Sequence, residues 1–147
     1  MIRTTPVLAL LVLLLAGCGA APDSRDAIAQ SRLYTCAGES VVEPKTDVLA
    51  CGDGNAWLDQ LRWRAWSSQR ATGSGLYHVN DCMPDCAEGH FRTYKASVLL
   101  DRPVSTPRGV LFARLSATFS GPGPTGQRSL VDDDLMPHAW THPSTSP

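Results

Sequence analysis

Val110-Leu111-Phe112-Ala113-Arg114-Leu115-Ser116-Ala117-Thr118-Phe119 alternates with a period of two. Leu111, Ala113, Leu115, Ala117 and Phe119 fall on one side, and Arg114, Ser116 and Thr118 on the other. An amphipathic helix would repeat its apolar positions every 3.6 residues, so this stretch predicts a strand with one buried and one wet face.

Outward from that strand, the chain continues in the same idiom. Phe91 to Leu100 is a long strand stopped by Asp101-Arg102-Pro103. Asp81 to Gly89 is a loop, and Leu76 to Asn80 a strand. Ser67 to Gly75 is rich in turn formers, with Gly73 and Gly75 around Ser74. Trp57 to Trp66 is a strand placing Trp57, Leu61, Trp63 and Ala65 on one face and Gln60, Arg62 and Arg64 on the other. Leu58 and Trp66 break that pattern, which predicts a bulge or a sheet buried partly on both sides. Asp47 to Cys51 is a short strand ended by the turn Gly52-Asp53-Gly54-Asn55. Short strands, Gly/Pro turns and no long helical period predict an all-β domain over 36–120, a small antiparallel sandwich or barrel. From Gly121 to Pro147 the chain is rich in Pro, Gly and Ser and is expected to be disordered, with Trp140 as its one large aromatic.

At the N-terminus, Arg3 precedes an uncharged apolar core, Val7 to Ala16, and then Leu15-Ala16-Gly17-Cys18. The core is about half the length a helix needs to span a bilayer, as in a secretory signal. The last four residues resemble the lipobox of bacterial lipoproteins. That resemblance implies a signal peptide over 1–17, diacylglyceryl transfer to the Cys18 thiol and cleavage before it. The protein would be exported and held on the outer face of the cytoplasmic membrane, with residues 18–35 as a tether. Two acyl chains suffice for stable anchoring.

Without the leader, 12 Lys and Arg (the 13 of the chain less Arg3) face 14 Asp and Glu. A nearly neutral chain with no basic run gives no case for a nucleic-acid partner. Besides Cys18, the cysteines are Cys36, Cys51, Cys82 and Cys86. An even number in an exported chain predicts two disulfides, with three possible pairings. The local pairing, Cys36 with Cys51 and Cys82 with Cys86, is favoured over one that crosses the two loops. Its larger loop would contribute about 3 kcal/mol.

Part of the domain also carries a resemblance of its own. Its residues are Leu49-Ala50-Cys51-Gly52-Asp53-Gly54-Asn55, Leu58, Leu61-Arg62-Trp63, Trp66 and Ala71-Thr72-Gly73-Ser74-Gly75. Asn80-Asp81-Cys82-Met83-Pro84-Asp85-Cys86-Ala87-Glu88-Gly89-His90-Phe91 and Tyr94 complete it. Together they resemble a group of small uncharacterised exported proteins of high-GC Gram-positive bacteria. The resemblance implies export and a shared architecture, and no activity.

Candidate chemistry is sparse. Cys82, Cys86 and His90, with His78, offer soft metal ligands, but at no standard spacing, and export oxidises thiols. Asp53 and Asn55, or Asn80, Asp81 and Asp85, offer oxygen ligands for calcium without the glutamate of an EF-hand. Gly73-Ser74-Gly75 is too short for a nucleophile elbow. Gly121-Pro122-Gly123-Pro124-Thr125-Gly126 has Gln127 where a phosphate loop needs lysine. No metal or cofactor is therefore expected. The aromatic residues Trp57, Trp63, Trp66, Tyr77 and Tyr94 would either fill the core or line a groove. Trp66, Arg62, Arg64, Tyr77 and His78 are the expected binding residues, for a cell-wall glycan or an envelope protein. The expected role is a non-catalytic binding or structural module. The alternative is a hydrolase-type enzyme built on the Asp81-His90 loop, with His78, His90, Asp81 and Asp85.

Overall fold

The computed structural model describes residues 30–132 and Leu135. Cys18, the rest of the leader, most of the tether and Trp140 lie outside the described residues. The strands are β1 (Leu33–Tyr34), β2 (Ser40–Val41), β3 (Asp47–Val48), β4 (Ala56–Trp66), β5 (Ala71–Asn80), β6 (Phe91–Thr106), β7 (Gly109–Phe119) and β8 (Ser129–Asp132). Among the described residues there is one 3-10 turn, Pro124–Gly126, and no α-helix. The all-β expectation holds. β1 and β2 form a two-stranded sheet, and β3 to β8 a six-stranded antiparallel sheet in sequence order.

The larger sheet is strongly curled. Its two outermost strands line one cavity of about 250 Å³, where Asp47 and Val48 of β3 meet Asp132 of β8. Inside the curl sit Leu58, Leu61, Ala71, Tyr77, Ala96, Val98, Leu100, Leu115, Ala117 and Phe119, joined by Leu33 and Phe112. Leu115, Ala117 and Phe119 are the inward residues of the opening stretch, as its period requires. Further up the same hairpin Arg102 adopts a left-handed φ of 54°. Beyond it both faces are covered: Phe112 enters the main core, while Leu111 and Ala113 pack with Tyr34 and Val104.

The expected bulge is present, and there are two. The β4–β5 register shifts between Asp59 and Arg62, where Gln60 has φ 52°, and again between Trp63 and Ala65. Each extra residue reverses the facing of the residues after it. Leu58 and Leu61 therefore both reach the core, and so does Trp66. Trp57 ends on the outer face, opposite to the expectation from simple alternation. The Ser67–Gly75 turn region is corrected as well: β5 already begins at Ala71. Its glycines belong to the ladder for a steric reason. A Cβ at Gly73 would stand 2.7 Å from the Arg62 carbonyl oxygen, and one at Gly75 2.7 Å from that of Asp59. Only glycine lets β5 lie this close to the bulged strand.

The domain limits of 36–120 are too narrow. Ser31 and Leu33, assigned to the tether, are buried, and the Ser31 hydroxyl donates to the Ser68 carbonyl at 2.6 Å. Ser129 to Asp132, assigned to the disordered tail, pairs with β7 from Leu115 to Thr118. Leu130 packs on the core. β6 also runs through Pro103 to Thr106. The last β5 pair is Ala71 with Leu100, so the proline, which has no N–H, removes no bond to β5.

Both disulfides follow the local pairing, Cys36–Cys51 and Cys82–Cys86. They are consistent with an extracytoplasmic location. Among the described residues no helix is long and apolar enough to cross a membrane.

Candidate functional site: the outer face of the sheet

Alternation and the two bulges together decide which side chains leave the core. Arg62 pairs with Ser74, Ser74 with Ser97, Ser97 with Thr118, and Thr118 with Ser129. Four hydroxyls thus stand in one transverse row across β5 to β8, ending at a guanidinium on β4. At about 4.8 Å per strand the row spans about 19 Å. A second row, Thr72, Leu99, Ser116 and Val131, runs beside it.

The charge on this face is uneven. Arg62, Arg64 and Arg70 are exposed, and none of the ion pairs among the described residues engages them. They line a shallow depression of about 480 Å³ with Thr72, Ser74, Ser97, Ser116 and Thr118. An adjoining depression of about 380 Å³ shares Arg62, Ser74, Ser97 and Thr118 and adds Gln60, Leu76, Lys95 and Ser120. The nearby carboxylate is already committed: Asp101 takes the Arg114 guanidinium in a two-point contact of 2.6 and 2.5 Å. The Arg114 hydrogen bond, aided by the charges of Arg114, Arg102 and Arg70, holds the Asp101 carboxyl below its usual range. Three guanidiniums beside free hydroxyls form a surface suited to anions, since arginine binds carboxylate and phosphate through two parallel hydrogen bonds.

The far end of the same face is aromatic. Trp57 pairs with His78, and His78 with Thr93. The Trp57 and His78 rings stack at 4.7 Å with an 8° interplanar angle, and Phe91, half-exposed, tilts onto Trp57 at 4.9 Å. Thr93 Oγ1 lies 3.0 Å from His78 Nδ1. His78 Nε2 has no hydrogen-bond partner; the Asp59 carboxylate is 4.0 Å away.

Of the expected binding residues, Arg62 and Arg64 lie in the basic depression and His78 lies on the same face, about 13 Å along β5 from Ser74. The other two are corrected. Trp66 is a core-packing residue: its ring meets Trp63 and Phe112 edge-on, and its Nε1 donates to the Ser31 carbonyl at 2.7 Å. The second bulge turns it inward. Tyr77 is 5% exposed against Phe119, and burial pushes its phenol pKa up. Arg70, Thr72, Ser74, Ser97 and Phe91 were not anticipated. Thr72 and Ser74 on β5 and Ser97 on β6 alternate outward as Ser116 and Thr118 do on β7, whereas Arg70, in the turn before β5, carries no such signal.

The Asp81-His90 loop holds itself together. Asp81 Oδ1 accepts the His90 backbone N–H at 2.8 Å, and its other oxygen accepts Arg92 Nε at 3.1 Å. The His90 amide is the main cause of the lowered Asp81 pKa. Asp85 accepts the backbone N–H groups of Ala87 and Glu88. Asn80 bridges Asn55 and the Cys86 carbonyl. Asp53 caps Asn55, as short acidic side chains do in turns. Cys82 and Cys86 are bonded to one another, so neither offers a thiolate. No protein-family model, curated protein or solved structure matches the chain.

Proposed function

We propose that the protein is an exported lipoprotein, anchored through Cys18, whose domain is a non-catalytic binding module of the cell envelope. The carrying observation is the cluster of Arg62, Arg64 and Arg70 on a hydroxyl-bearing sheet face, where no ion pair among the described residues engages them. Such a face attracts anions, and its histidine–hydroxyl pair, His78 with Thr93 at 3.0 Å, lies away from the arginines with the His78 ring stacked on Trp57. The loop carboxylates that an enzyme would use are engaged with backbone N–H groups and Arg92. The two disulfides support a role outside the cytoplasm, where they persist. The tether would let the domain stand away from the bilayer and meet the anionic polymers of the wall.

Co-sedimentation tests this reading. The full chain in mild detergent is mixed with insoluble cell-wall sacculi that keep their anionic polymers, and with sacculi stripped of them. The wild type is expected to pellet with the first and not the second. Combined Arg62→Gln, Arg64→Gln and Arg70→Gln substitution should leave the protein in solution. Equal pelleting of that variant would overturn the proposal.

A further inference from the structure

We infer that the basic depression and the aromatic cluster are two ends of one track, and that its ligand is an anionic polysaccharide. The inference rests on the proposed binding role and names the ligand class. Ser74, Leu76 and His78 are alternate residues of β5 and so point from the same face. The arginine row and the Trp57 row are therefore about 13 Å apart along the strand. Lys95, beside Leu76 in register, bridges them.

Two independent features select the ligand. Clustered guanidiniums that no ion pair among the described residues engages favour an anion. Phe91, half-exposed, offers an apolar ring on which the C–H face of a sugar stacks and a bare phosphate chain does not, and Trp57, stacked on His78, backs it. Phe91 is 51% exposed, far beyond what a core aromatic requires. The hydroxyls of Ser74, Ser97 and Thr118 meet the hydrogen-bonding demand of a polyol at the arginine end of the track. A single track of this kind takes several saccharide units, with the charged group over Arg62, Arg64 and Arg70.

Titration calorimetry on the full chain, with a linear polyuronate, a neutral glucan and inorganic polyphosphate, tests the inference. The polyuronate is expected to bind at least about tenfold tighter than the glucan. Trp57→Leu, and separately the milder Phe91→Ser, should weaken polyuronate binding about tenfold and leave polyphosphate unchanged. If both polyanions bind alike and neither substitution matters, the saccharide track is overturned while the arginine face stands. If the glucan binds as well as the polyuronate, the anionic requirement fails. If no polyanion binds, the inference and the proposed function fall together.

Discussion

Raising the pH from 5 to 8 should destabilise this protein through Asp47. It sits on the outermost strand β3, 5% exposed, where the curl of the sheet brings Asp132 into the same cavity. Burial, helped by the negative charge of Asp132, raises its pKa from 3.8 to about 7. A carboxyl with a raised pKa binds its proton more tightly folded than unfolded. Its contribution is therefore complete below about pH 4 and is lost as pH climbs through 7. At about 1.36 kcal/mol per pKa difference of one, the loss between pH 5 and 8 is about 2.5 kcal/mol. For a domain of this size that corresponds to a fall in Tm of roughly 10–20 °C. Asp81 and Asp101, whose pKa values are depressed, titrate below this window. The assay is urea unfolding of the wild type and Asp47→Asn at both pH values. The stability of the variant relative to the wild type should rise by about 2.5 kcal/mol from pH 5 to pH 8. A difference that stays flat with pH would refute the reasoning.

Gly75→Ala places a Cβ 2.7 Å from the Asp59 carbonyl oxygen and should cost about 1–3 kcal/mol, read as a lower urea midpoint. Trp66→Phe removes the bond to the Ser31 carbonyl and should cost about 1–2 kcal/mol while leaving polyuronate affinity unchanged; lost affinity would restore Trp66 to the binding face. Replacing Cys36 and Cys51 together by serine opens the 15-residue loop and should cost about 3 kcal/mol by the same urea assay. Cys18→Ala should abolish lipidation and release the protein from detergent-phase partitioning; unchanged partitioning would remove the lipid anchor from the account.

Most of the fold could be read from alternation, because burial of one strand face is a local property of the sequence. The bulge in β4 was visible as the misplaced Leu58 and Trp66. What alternation cannot give is how many extra residues intervene. The first bulge left Trp57 outward and the second sent Trp66 inward, reversing both assignments. Gly73 and Gly75 were legible only as turn formers, since their reason is the backbone of another strand. β8 has little signal of its own: Ser129 to Asp132 is four residues long, follows the Pro/Gly-rich run 121–126, and gains its place by pairing with β7. The site was half legible: Arg62 and Arg64 share a strand, but Arg70, Ser74, Ser97 and Thr118 join them only through register across four strands.

Arginine side-chain NMR gives the most direct reading of the face. The Nε–Hε signals of Arg62, Arg64 and Arg70 are followed while a polyuronate is titrated into the labelled full chain. The account predicts saturable shifts at these three, with the paired Arg92 and Arg114 signals nearly still. Shifts at Arg92 alone, or no shift at any of the three, would contradict it.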